Sequence, residues 1–328
     1  MMMLNELDEE LTRRKLDTRA VFIVYTDTVW PPETEKLNNP DRFTLLLAPI
    51  SRSYTESLPA VSRNAQTKPY ERNKLVMPKT LEENFAYFAK WKEMWKGANM
   101  AYEYHFWRHQ YYDVSGTQLS KIINEDIRSY KKYDVNGVIQ DGSQRSFFPT
   151  GLVFYSYART MFDMTLTEEE IAEEYFSCAF GENWKAFYEY LDKIGKTFDF
   201  GYMEGENSAD ITRSPYYNPA IAEQLKQIRG INEEAMELIR ANYNKPYRVQ
   251  TASVRLLEMF TRYTNLLADA LIPKAVGDDE EASRLHKIFM EEIGKEEIYF
   301  QTCYDHCLAF YSLERIFKSR TKAPDIIY

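Results

Sequence analysis

The chain has 328 residues, 44% of them hydrophobic, and carries 50 acidic against 41 basic residues for a net charge of −9. That length suits one large domain or two ordinary ones, with a sizeable core that needs neither disulfides nor metals. The acidic balance argues against a nucleic-acid partner, because phosphate binding calls for a surplus of Lys and Arg.

Leu4 to Leu16 sets leucines among charged residues and reads as a surface helix. Ala20 to Tyr25 is a continuous apolar, β-branched run, the signature of a strand buried on both faces of a parallel sheet. It ends at Thr26-Asp27-Thr28, before Trp30-Pro31-Pro32. A second strand spans Phe43 to Ala48, closed by Pro49, and Ser51 to Pro78 is a long polar excursion. Thr80 and Glu83 form a capping box for a helix that runs to Trp95. A third strand covers Met100 to Trp107, a helix Ser120 to Tyr133, a short fourth strand Val135 to Gln140 and a helix Gly151 to Phe162. Beyond Thr167 only helical patterns follow: Glu168 to Phe180, Trp184 to Phe198, Pro219 to Asn242, Thr251 to Ala275, Asp279 to Phe300 and Cys303 to Arg320. Gly201 to Pro219 is a polar break among them. Residues 1–163 therefore read as α/β with parallel βαβ units, and residues 164–328 as a helical domain.

No apolar run is long enough to span a membrane. Met1 to Arg14 is acidic and amphipathic, unlike a secretory leader. A cytoplasmic protein is expected as the chain is written, and an exported or periplasmic one if its gene begins further upstream. Cys178, Cys303 and Cys307 lack a disulfide framework and are expected as buried helix thiols. Cys303, His306 and Cys307 sit on one helical turn, which supplies too few ligands for a metal, and no cofactor motif occurs. The 25 Tyr, 19 Phe and 5 Trp amount to 15% of the chain. Most are expected to fill helix contacts, and those near strand ends are candidates for stacking on sugars.

Chemistry in parallel β/α folds collects at the carboxyl ends of strands, where loops converge. That rule selects Asp27 and Trp30 after the first strand, Arg52 and Tyr54 after the second, Glu103 to His109 on the third, and Gln140, Asp141 and Ser143 after the fourth. Alternation places Ala101, Glu103, His105 and Trp107 on one face, which is expected to line a cleft. Glycoside cleavage needs two carboxyl groups flanking the bond, at about 5 Å or about 6.5–9.5 Å. Glu103, Asp27 and Asp141 are the candidates for that pair. Trp30, Arg52, Tyr54, His105, Trp107, His109 and Gln140 are the candidates for contacting the sugar. Structural alternatives stand beside each. Asp27 and Asp141 also suit turns or caps, Glu103 suits a buried pair with an Arg or Lys, His105 and His109 suit solvated loops, and Trp30 and Trp107 suit packing.

The stretch Tyr102 to Trp107, then Asn124 to Arg128, Val135 to Val138 and Gln140 to Gly142, resembles a bacterial family of glycoside-hydrolase-like proteins that carry a domain of unknown function. Thr26-Asp27, Pro31-Pro32, Tyr157 to Asp163, Glu174 to Phe176 and Phe180-Gly181 extend the likeness over roughly residues 20 to 200. The family is similar to α-glucuronidase and hexosaminidase barrels. The resemblance implies a carbohydrate substrate and a TIM-type barrel followed by helices. Such a barrel has about eight strands, so the four found here are expected to be its C-terminal half, with either self-association or a missing N-terminal half to complete it. A truncated glycoside hydrolase is thus one expectation. A non-catalytic carbohydrate-binding or scaffold protein is the other.

Overall fold

The computed structural model describes residues 1–58, 65–143 and 145–322. It divides into two compact units, residues 1–105 with 125–141, and residues 106–124 with 142–328. The boundary expected at 163/164 lies within the second unit.

The first unit is built on strands β1 (Ala20–Val24), β2 (Phe43–Leu47), β3 (Ala98–Phe106) and β4 (Val138–Gly142), in the spatial order β1-β2-β3-β4. The pairing is parallel, with Ala20 opposite Phe43 and Thr44 opposite Ala98. Its helices are α1 (Met2–Arg13), α2 (Leu81–Met94) and the second half of α4 (Thr117–Tyr130), while the one-turn α3 (His109–Tyr112) and the start of α4 fall in the second unit. Thr80 caps α2 by accepting from the Glu83 N–H at 3.1 Å, and the Glu83 carboxylate accepts from the Thr80 N–H, so the capping box forms. The helix α4 starts three residues before its expected position. The buried Asp113 carboxylate accepts from the backbone N–H groups of Gln118 and Leu119 at 2.9 and 2.7 Å and holds the first turn.

Side chains alternate along the strands, so the sheet has two distinct faces. Phe22, Val24, Phe43, Leu45, Leu47 and Ala101 point into one core with Phe85, Phe88 and Trp91 of α2 and Tyr130 of α4. The other face is only partly covered: Leu46 and Tyr104 on it are buried, but Val21 is 57% exposed, Ile23 44% and Ile139 41%. A parallel sheet normally has both faces covered. The continuous apolar run at 20–25 therefore predicts two-sided burial that only one face attains.

The second unit is helical. After α5 (Leu152–Phe162), α6 (Glu168–Phe180) and α7 (Trp184–Phe198) come α8 (Phe200–Glu204), α9 (Pro219–Leu225), α10 (Ile228–Ala241), α11 (Arg248–Val276), α12 (Asp279–Lys295), α13 (Glu297–Phe300) and α14 (His306–Lys318). The long α11 packs against α6, α9, α10 and α12. Phe176, Phe180 and Phe187 stack in series at centroid distances of 5.2 and 4.8 Å, which is the packing role expected for most of the rings. Two expected helices are broken, one at Lys226 and Gln227 and one at Glu296, and the polar break contains α8, capped by Asp199. Cys178 and Cys307 are exposed and Cys303 half-buried, so the thiols are not the buried set expected. Cys178 and Cys307 lie on the solvent side of α6 and α14, where period alone does not distinguish Cys from a polar residue, and Cys303 lies in the turn between α13 and α14. Among the described residues no helix is long and apolar enough to cross a membrane.

Candidate functional site

The strand-end residues of the first unit fall into three places. The first is a sealed polar network on the helix-covered face of the sheet. Glu103 and His105 project from β3 on that face, beneath α4, and neither has exposed surface. Arg52 donates from Nη1 to Glu103 at 3.1 Å and from Nη2 to Asp126 at 2.6 Å. The Tyr54 hydroxyl donates to Glu103 at 2.8 Å, and the Tyr130 hydroxyl donates to the other Glu103 oxygen. Asp126 also accepts from the Leu58 N–H at 2.7 Å and pairs with His105 Nε2 at 3.1 Å. His105 Nδ1 lies 3.0 Å from Gln140 Nε2. Donation from Nε2 to the carboxylate leaves Nδ1 as the acceptor for that amide.

The face carrying Glu103 and His105 was expected to line a cleft, and it instead meets helices. Alternation fixes which residues share a face but not which face is covered. Burial penalises ionisation at Arg52, yet Asp126 and Glu103 outweigh it and hold the guanidinium firmly charged. Burial likewise opposes ionisation of Asp126, but Arg52, His105 and the Leu58 N–H hold its carboxyl below the usual range. With Arg52, Tyr54 and Tyr130 on its two oxygens and no exposed surface, Glu103 has no path to a substrate. The arrangement is the buried Glu–Arg pair given above as the structural alternative.

The second place is a cleft of about 680 Å³ at the carboxyl end of β1. Asp27 and Thr28 of the turn Thr26–Val29, then Trp30, Pro31 and Glu33, form one wall. Lys68, Tyr70, Tyr87 and Lys90 form the other. The indole of Trp30 is fixed on three sides. Its N–H donates to the Lys68 carbonyl at 2.8 Å, and Tyr87 and Tyr70 meet it edge-on at 5.1 and 5.8 Å. The Tyr87 hydroxyl accepts from the Lys68 N–H at 2.9 Å, anchoring the opposite wall to α2. Thr26 has φ +50°, a left-handed conformation that is strained for a β-branched residue, and the exposed Asp27 follows it directly.

The third place is the open face of the sheet. Tyr102 and Tyr104 lie on it with ring centroids 5.3 Å apart, and Asp141 stands beside them. Burial, then the Asp141 charge, pushes the Tyr102 phenol up. Asp141 is half-buried, and Gly142 after it has φ +135°. A Cβ at Gly142 would lie 1.9 Å from the Phe106 carbonyl oxygen, so the end of β4 requires glycine there, where a turn was expected. Trp107 and His109 belong to the second unit. Trp107 is half-buried, and its carbonyl accepts from Gln110. His109 is buried and pairs through Nδ1 with Glu204, rather than lying solvated in a loop.

The structure thus brings together Arg52, Tyr54, Glu103, His105 and Gln140, places Asp27 and Trp30 in the cleft, and sets Asp141 on the open face. Sequence reasoning passed over Asp126 and Tyr130 as network members. The signal is an acid inside an apolar stripe: Leu119, Ile123, Asp126 and Tyr130 recur at spacings of four, three and four on one side of α4. Lys68 and Tyr70 carry no such signal, because a non-repetitive segment brings them to Trp30, and Tyr87 meets it from α2. No family model, curated protein or solved structure matches the chain.

Proposed function

We propose that this protein binds carbohydrate in the cleft at the end of β1, on a glycoside-hydrolase-like scaffold. The observation that carries the reading is the cleft itself: an immobilised indole with Tyr70 and Tyr87 beside it, rimmed by Asp27, Glu33, Lys68 and Lys90. Flat rings suit the apolar faces of sugars, and carboxylates and ammonium groups suit their hydroxyls. Balanced charge at the rim fits an uncharged polyol. The likeness of residues 20 to 200 to glycoside-hydrolase-like proteins points to the same substrate class. On this reading the four-stranded sheet is half of a (β/α)₈ barrel. Its open face is barrel interior, and its two free edges are where further parallel strands would pair, supplied by self-association or by a missing half.

Glycoside cleavage is the second reading, and Asp141 beside Tyr102 on the open face favours it. In a completed barrel that carboxyl would face the interior near the carboxyl ends of the strands. Glu103 is withdrawn from the role of acid in either case, because its hydrogen-bonding capacity is committed to Arg52, Tyr54 and Tyr130. An oligosaccharide array followed by a reducing-sugar assay on the ligands retained separates the readings. Retention without release of sugar supports binding, release that is lost in Asp141→Asn supports cleavage, and no retention at all defeats both.

A further inference from the structure

The helical unit holds a second cavity, of about 720 Å³, that the carbohydrate reading does not use. Its floor is apolar, from Met236, Leu256, Met259 and the buried Phe300. Its rim carries Arg255, Glu258, Arg262 and Glu296. These charges are not equivalent. Arg262 is already ion-paired, donating to Glu292 at 2.7 Å and to Glu296 at 2.5 Å. Glu258 takes a hydrogen bond from the Tyr243 hydroxyl. Arg255 lies over the Tyr243 ring, 4.8 Å from its centroid, and spends one N–H on Asn244 at 2.7 Å. Among the described residues it has no ion pair, and it is an exposed residue of the cavity lining.

We infer that this cavity is a binding site for a small amphiphilic monocarboxylate, whose apolar body enters the methionine-rich floor and whose carboxylate meets Arg255. Met side chains adapt to apolar bodies of irregular shape, and a guanidinium fixed on a ring is pre-organised for a carboxylate fork. Glu258, three residues further along α11, repels a second negative charge. The site therefore discriminates against dianions.

The test is a calorimetric titration of the full chain with octanoate, 1-octanol and suberate, repeated on Arg255→Gln and Glu258→Gln. Both residues are exposed and outside the core, and neither belongs to the cleft at β1. The expected result is saturable octanoate binding, at least tenfold weaker binding of octanol and suberate to the wild type, at least tenfold loss for octanoate in Arg255→Gln, and tighter octanoate and suberate binding in Glu258→Gln. Octanol binding as tightly as octanoate, unchanged affinity in Arg255→Gln, or no saturation at millimolar octanoate would each overturn the assignment. The octanol comparison needs no variant.

Discussion

Replacing Glu103 with Gln separates a structural carboxylate from a catalytic one. The native carboxylate accepts from the Arg52 guanidinium, the Tyr54 hydroxyl and the Tyr130 hydroxyl, with no exposed surface at Glu103 or Arg52. The amide keeps the shape but offers one oxygen and one N–H₂ in place of two oxygens. At least one donor then faces another donor. Arg52 stays neutralised by Asp126, so no lone charge is left buried. The cost is one charge-assisted hydrogen bond, worth about 1.5–3 kcal/mol, plus part of the about 3–5 kcal/mol typical of breaking a buried pair. A loss of about 3 kcal/mol follows, or roughly 10 °C in the melting transition of the sheet unit. Urea and thermal unfolding followed by circular dichroism measure it, and calorimetry on the folded variant measures carbohydrate affinity, which is expected to stay at the wild-type level. A variant as stable as the wild type that has lost turnover or binding would refute the structural assignment and return Glu103 to the site.

Burial holds the Glu168 carboxyl up at about 7, against an ordinary 4.5, and a hydrogen bond from Ser120 only partly offsets it. A raised acid stabilises the fold most below its unfolded pKa, so the helical unit is expected to lose stability as pH rises from about 4.5 to about 7. Glu168→Gln removes that slope and gains about 3 kcal/mol at pH 8 relative to the wild type, as read by melting curves across pH. Asp126 has the opposite sign: its folded pKa is depressed, so its contribution is present above about pH 3.9 and is lost as pH falls below it. Asp126→Asn should flatten that acid limb in tryptophan fluorescence, and an unchanged limb would count against the network. On the open face, Ile23→Lys is expected to change monomer stability by less than about 0.5 kcal/mol, as for exposed positions generally. It should also raise the monomer fraction in sedimentation velocity, and an association state indifferent to that charge would leave the half-barrel reading without its interface.

Much of the α/β front half was legible because its signals are local. The β-branched run at 20–25 and the capping box at Thr80 and Glu83 each specify their element without reference to the rest of the chain, whereas Asp141 and Gly142, expected as a turn, close strand β4 instead. The faces were not legible in the same way. Period two puts Glu103 and His105 together, but only the placement of α2 and α4 decides that they meet helices while Tyr102 and Tyr104 meet the open side. Arg52, a candidate sugar contact by its position at a strand end, instead binds carboxylates of the protein itself. The start of α4 was missed because Asp113 caps it from outside the helical pattern, four residues before Thr117. The cleft was half legible. Asp27 and Trp30 follow from their position at a strand end, whereas Lys68, Tyr70 and Tyr87 arrive through a loop and a helix whose geometry no periodicity encodes.

Calorimetric titration of the full chain against a panel of neutral oligosaccharides, with Trp30→Ala run in parallel, bears most directly on the cleft. Removing the indole takes away the one ring fixed by Lys68, Tyr70 and Tyr87, and the lost apolar contact is worth about 1.5–3 kcal/mol. Saturable binding to the wild type that weakens about tenfold or more in Trp30→Ala is the predicted result. Binding that survives the substitution unchanged, or a wild-type chain that binds none of the sugars, would contradict the account.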